Sequence, residues 1–229
     1  MKTAFFDDPD AAVAEIADGA TVLVGGFGLA GMPGCLLDGL IRQGATGLTV
    51  VSNNAGNGET GLAALLKAGR VRKIVCSFPR QRDSWVFDNL YRSKQIELEL
   101  VPQGNLAERL RAAGAGIGAF FCPTGVGTEL AADRETRIIN GRQYVLEFPI
   151  KGDVALISAH KSDEMGNLVY RKTARNFAPV MAAAARLTVA EVSAVVKLGQ
   201  LDPEVVATPS IYVHRVLTRA TATSRWKTP

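Results

Sequence analysis

Three groups of residues in this chain have the type and spacing to do chemistry. They are a glycine-rich stretch, a set of side-chain amides, and a pair of arginines, each following an apolar run. The run Asp18-Gly19-Ala20-Thr21-Val22-Leu23-Val24-Gly25-Gly26-Phe27-Gly28-Leu29-Ala30-Gly31-Met32-Pro33 reads as a turn, a buried strand, a loop and a helix started by proline. Glycine lets a backbone turn sharply and approach a ligand, and the free N–H groups of a helix start point toward negative charge. Val24, Gly25, Gly26, Phe27, Gly28, Leu29, Ala30 and Gly31 are therefore the candidates for contact with an anionic ligand. Gly26, Gly28 and Gly31 also spell the dinucleotide fingerprint G-x-G-x-x-G. A nicotinamide site asks for an acid about twenty residues further on, where this chain has Asn53-Asn54. An amide can still bond a hydroxyl, so that reading is weakened rather than excluded, and a tight turn without a ligand stays open beside it.

The second group is Asn53, Asn54 and Gln103-Gly104, each behind a strand-like run; the third is Arg80 and Arg82 in Ser77-Phe78-Pro79-Arg80-Gln81-Arg82. Open α/β sheets bind ligands outside the carboxyl ends of their strands, which recommends all of these positions. Asn and Gln are also ordinary turn residues, and an arginine pair is equally at home in solvent. Glu59, between Gly58 and Gly61, is expected to place a favourable charge at a helix start rather than to act as a nucleophile. His160 and His214 lack an acid and a nucleophile at any motif spacing and are read as structural. Cys35, Cys76 and Cys122 have no metal spacing and point to a reducing compartment; Cys35 and Cys122 would be open to alkylation if exposed.

These residues need a scaffold that brings strand ends together. Thr21 to Val24, Leu48 to Ser52, Lys73 to Ser77 and Glu97 to Val101 are apolar runs, each followed by turn residues and a helical pattern. That rhythm predicts an α/β fold, an open and mostly parallel sheet with flanking helices. Asp8-Pro9 starts a helix that Asp18-Gly19 ends. After Phe121 the runs Tyr144 to Phe148, Val154 to Ser158 and Leu168 to Tyr170, with turns at Asn140-Gly141 and Gly166-Asn167, predict mixed or antiparallel strands. With no linker or repeat, residues 1–217 read as one domain and residues 218–229 as a weakly structured tail.

The segment Asp18 to Pro33 resembles the first signature of the family I (3-oxoacid) CoA-transferases: an acidic-Gly turn, three apolar residues, Gly-Gly-Phe, then a Gly and a Pro. Members of that family are built from two kinds of subunit, of which the second carries the nucleophile. Ser52 to Gly56, Pro102 to Arg109, Pro123 to Thr128, Gly166 to Arg171 and Ala174 to Phe177 are similar to the first kind, and together the likeness reaches to about Arg215. Cys76 to Gln81 and Gly116 to Phe121 resemble most the members that serve 3-oxoadipate; acetoacetate and other short-chain acids are the alternative acceptors. Two departures are Ala178, where relatives carry Asn or Gly, and Ser210, where they carry Gly.

The resemblance implies CoA transfer from succinyl-CoA to a 3-oxoacid through a glutamyl-CoA thioester, by ping-pong kinetics. The glutamate belongs to a Ser-Glu-Asn-Gly signature on the second kind of subunit, and no such stretch occurs here. A heterodimer or A2B2 heterotetramer is thus expected, with Gln103 and Gly104 supporting the pocket, no catalytic residue of this chain's own, CoA as a substrate, and no permanently bound cofactor or metal. A non-catalytic ligand-binding regulator and a homomeric isomerase with a related core are the rivals from other classes.

Composition agrees with a globular enzyme: 229 residues, 47% hydrophobic, 21% charged and a net charge of +4 leave ample material for a core. The basic residues are scattered, which argues against nucleic acid. Asp7, Asp8 and Asp10 stand where a signal peptide needs positive charge, and no run is long enough to span a bilayer, so a cytoplasmic protein is expected.

Overall fold

The computed structural model describes residues 2–219. The chain opens with β1 (Ala4–Phe6) and α1 (Pro9–Val13), the latter capped by Asp8, whose carboxylate accepts from the amides of Asp10 and Ala11. The helix stops at Val13 rather than running to Asp18; Ile16 beyond it turns into the core, its N–H bonded to Val13 O. There follow β2 (Thr21–Val24), α2 (Gly34–Gln43), β3 (Leu48–Val51), α3 (Leu62–Lys67), β4 (Val71–Cys76), α4 (Trp85–Arg92), β5 (Glu97–Leu100) and α5 (Gln103–Gly114). The second half contributes β6 (Phe120–Cys122), β7 (Thr136–Ile139), β8 (Arg142–Glu147), β9 (Gly152–Ser158), β10 (Lys161–Asp163), β11 (Leu168–Val169), α6 (Ala178–Ala184), β12 (Ala185–Val192), β13 (Ala194–Val196) and β14 (Arg215–Thr218).

Eight strands form one sheet in the order β1-β14-β12-β9-β2-β3-β4-β5, and every pairing in it is parallel. Alternation along each strand sends side chains to opposite faces. Val22 and Val24 pack with Val50, Ile74 and Leu156 beneath α1 to α4, whereas Leu23 packs with Val51, Val75, Ala155 and Ile157 beneath α5 and α6. Both faces are covered, as a parallel sheet requires.

The antiparallel strands expected after Phe121 exist but stand apart from this sheet. β6, β8 and β7 form a three-stranded antiparallel sheet whose β7–β8 turn is Asn140-Gly141, both at positive φ. β10 pairs antiparallel with β11 across the Gly166-Asn167 turn and parallel with β13. The run Val154 to Ser158, grouped with them on sequence, is instead the core of β9, parallel to both β2 and β12. The tail expected from Thr218 begins inside β14, and the Arg219 amide donates to Val192 O; residues 220–229 lie outside the described residues.

Candidate active site at the carboxyl edge of the sheet

Because all eight strands are parallel, the turns after β2, β3, β4 and β5 emerge along one edge of the sheet. Three of the singled-out segments meet there. Asn53 Oδ1 accepts from Gln103 Nε2 at 2.8 Å and from Ser77 Oγ at 2.9 Å, and Asn53 O accepts from the amides of Ser77 and Phe78. Gln103 opens α5 and is exposed, as is Gly104, with open space where a side chain would stand. Gln103 Oε1 has no partner among the described residues, so the carboxamide is oriented by one bond and still has bonding capacity to offer.

Asn53 and Asn54 are each 1% exposed, which corrects their expected role as substrate contacts. They have no surface to present, because the turns after β3 and β4 close over them. Asn53 instead orients Gln103, and Asn54 Oδ1 accepts from the Gly56 amide within its own loop. The arginines also separate. Arg80 Nε donates to Asp88 Oδ1 on α4 at 2.7 Å and lines an open groove of about 690 Å³ with Tyr91, Arg92 and Lys94. Arg82 is exposed, with no partner among the described residues.

The glycine-rich stretch divides between fold and surface. Val24, Gly25 and Gly26 are buried: the Gly25 amide extends the β2–β9 ladder to Leu156 O, and the Gly26 amide donates to Asn176 Oδ1. As ligand contacts these three are corrected, since packing and internal hydrogen bonds consume them. Phe27 and Ala30 then exchange backbone hydrogen bonds around Gly28 and Leu29, making a tight turn with Phe27 50% and Leu29 56% exposed. Gly28 has φ +61 and open space where a Cβ would stand, whereas a Cβ on Gly31 would lie 2.5 Å from Ala174 O. Gly31 is thus fixed by packing, and Gly28 by backbone conformation alone.

The start of α2, expected to be open for an anion, is already filled. Glu191 Oε2 at the end of β12 accepts from the amides of Cys35 at 2.8 Å and Leu36 at 3.2 Å. Burial holds this carboxyl high, at about 7, against the opposing pull of Arg219 and the two amides. Sequence reasoning passed over Glu191, although a charge inside the apolar run Val189-Ala190-Glu191-Val192 was a usable signal.

A second network was missed in the same way. Glu147 Oε1, on a side chain 3% exposed, accepts from Asn105 Nδ2 at 2.8 Å and pairs with Arg134 at 2.6 Å, and Arg109 lies 3.7 Å from Oε2. It ties the first turn of α5, and with it Gln103, to the β6-β8-β7 sheet.

The remaining candidates are structural. Glu59 pairs with Lys67 at 3.0 Å on the surface of α3. His214 Nδ1 accepts from the Thr188 amide, and burial lowers its pKa. Cys35 and Cys76 are buried, the latter with its thiol pushed up to about 12 by burial, and Cys122 is half-buried with Sγ–H donating to Asn105 Oδ1. Ala178 is wholly buried at the start of α6, and Ser210 has ordinary backbone angles, so serine needs no strain where relatives carry glycine. Among the described residues no group of three or more His, Cys, Asp or Glu is placed to hold a metal, and no helix is long and apolar enough to cross a membrane.

Known proteins share this arrangement. The chain is 66% identical to the first of the two subunits of 3-oxoadipate CoA-transferase from Pseudomonas putida, over 90% of its own length and 89% of that protein's. It is 48% identical to the corresponding subunit of succinyl-CoA:3-ketoacid coenzyme A transferase from Helicobacter pylori, over 91% of this chain and 89% of the relative. An acyl-CoA transferase apoenzyme from Escherichia coli O157:H7 has the same fold, with a TM-score of 0.83 at 22% identity, covering all of this chain and 49% of the larger one. With a coenzyme A transferase model also matching residues 6–219, the chain belongs to the coenzyme A transferase family.

Proposed function

We propose that this chain is one half of a two-subunit enzyme that moves CoA from succinyl-CoA to a 3-oxoacid, with 3-oxoadipate the preferred acceptor, as the name of its Pseudomonas putida relative suggests. The observation that carries the reading is the meeting of Gln103, oriented by buried Asn53, with the exposed glycine turn on the side of the sheet that also bears Phe78. The acids that might have supplied a nucleophile are engaged elsewhere: Glu59 with Lys67, Glu147 with Arg134 and Asn105, Glu191 with the start of α2. The carboxylate that carries CoA then comes from a different partner chain, in a heterodimer or A2B2 heterotetramer.

In this scheme the partner's glutamate attacks the succinyl-CoA thioester, giving a mixed anhydride and the CoA thiolate. The thiolate attacks the anhydride, releasing succinate and leaving a glutamyl-CoA thioester; the 3-oxoacid repeats both steps in reverse. Each attack gathers negative charge on an oxygen. The Gln103 carboxamide and the exposed amides of the Gly28-Leu29 turn are the donors this chain brings to it. Phe27, Leu29 and Phe78 are half or more exposed and supply an apolar surface for the acyl-CoA and the partner to cover. CoA enters as substrate, no resident cofactor or metal is used, and the enzyme works in the cytoplasm.

The test is co-expression with the partner chain, then an assay of CoA transfer from succinyl-CoA to 3-oxoadipate and to acetoacetate. The complex is expected to turn over with parallel initial-velocity lines, and the single chain to be inactive. Turnover by the single chain, or a complex inactive with both acids, overturns the proposal. Gln103→Ala in the active complex should lower kcat by about 100-fold, the usual effect of one lost donor to a developing oxyanion.

A further inference from the structure

Glu191 sits in a second cluster, behind the glycine turn, that the transfer chemistry does not use. Its side chain is almost wholly buried at the end of β12. Oε2 takes the first amides of α2, and Oε1 lies 3.6 Å from Arg219 Nη1. Arg219 in turn donates to Ser193 Oγ at 2.6 Å, Ala159 O at 3.1 Å and Ser158 Oγ at 3.4 Å. A single carboxylate thus joins the start of α2 to the ends of β9, β12 and β14. A buried charge persists when it is bonded and paired, and a helix start is where an anion gains most from backbone N–H groups. Between β2 and α2 the chain has two fixed feet: the Gly25 amide on Leu156 O, and the Cys35 and Leu36 amides on Glu191. Asn176 holds the middle, accepting from the Gly26 amide and donating to Ala30 O. Phe27, Gly28 and Leu29 are the part left to meet a ligand.

We propose that Glu191 is the positioning residue of the glycine turn: by holding the first amides of α2 it sets where Phe27, Gly28 and Leu29 meet acyl-CoA. The proposal rests on the turn's role in acyl-CoA binding given above. It also means that the phosphates of CoA are not bound at the start of α2, whose charge is answered from within.

The experiment uses the assembled two-subunit enzyme with succinyl-CoA. Glu191→Ala is expected to raise KM for succinyl-CoA by about tenfold or more with kcat within about threefold, and to speed amide exchange at Cys35 and Leu36 by about tenfold. Glu191→Gln keeps an oxygen that accepts from both amides and should return KM and exchange to within about threefold of wild type. If the alanine variant does not fold, Glu191→Asp, one methylene too short to reach both amides, carries the same test. Wild-type KM in the Ala or Asp variant, or an equal rise in Gln and Ala, overturns the proposal. Gly28→Asn tests the turn's role separately, because asparagine tolerates the left-handed backbone while adding bulk on the open side. Wild-type KM in that variant removes the turn's binding role, whereas the exchange rates at Cys35 and Leu36 report on the Glu191 contact whatever the turn binds.

Discussion

Arg80 and Arg82 are separated by one residue and differ in what they can still do. Arg80 spends its Nε on Asp88, while Arg82 has no partner among the described residues and is free to meet the distal carboxylate that 3-oxoadipate has and acetoacetate lacks. A charge-assisted hydrogen bond of about 1.5 to 3 kcal/mol corresponds to roughly one to two orders of magnitude in selectivity. In the complex, Arg82→Ala should lower the ratio of kcat/KM for 3-oxoadipate over acetoacetate by about tenfold or more, and Arg80→Ala by less than about twofold. A ratio unmoved by Arg82→Ala ends that assignment. At this scale the residues that could be read in advance were those whose role follows from the backbone: Gly28 at the head of its turn and Gln103 at the first position of α5. The depth of a side chain was not legible. Asn53 and Asn54 looked like open amides at a strand end, and their burial comes from two separate turns closing over them, which local spacing does not encode.

Elements carry the charges that sequence patterns hid. Glu191 links β12 to α2, and its pKa is raised to about 7 by burial, so the folded chain holds this proton more tightly than the unfolded one. Its contribution to stability is therefore fully present below the ordinary carboxylate pKa and is lost as pH rises toward about 7. Urea midpoints measured between pH 5 and 7.5 should fall for the wild-type chain and lose most of that slope in Glu191→Gln. Glu147 makes the opposite kind of link, from α5 to the small β6-β8-β7 sheet, and removing it leaves Arg109 and Arg134 without their shared carboxylate. Glu147→Ala should cost about 3 kcal/mol, as breaking a buried pair does, read from the urea midpoint at fixed slope. The strands of the first half were legible as apolar runs between turn residues. Their limits moved where a charge sits in a strand: β4 starts at Val71 because Arg72 stays on the solvent side and pairs with Glu97. The second half was harder, since alternation marks a strand without naming its neighbour. Val154 to Ser158 is flanked by hairpin-like runs in sequence yet joins β2 and β12 in space.

For the whole molecule, the sheet is assembled from two stretches of chain with different histories. β2, β3, β4 and β5 are neighbours in the order in which they occur, whereas β1 pairs with β14, in a register that sets Ala4 against Arg215. Removing residues 215–229 would take away β14, exposing the edge of β12 and leaving β1 without its neighbour. Loss of soluble chain is the expected outcome, and a soluble truncation with native circular dichroism would count against this account. The same pairing sets an order in time. The β2-to-β5 half can assemble through local closures while the chain is still being made, but β1, synthesised first, must wait for nearly the last strand before it has a place. Pulse-labelled exchange during refolding should therefore protect the amides of β3 and β4 before those of β1 and β14. On the ribosome, the first strand of this protein is among the last to arrive.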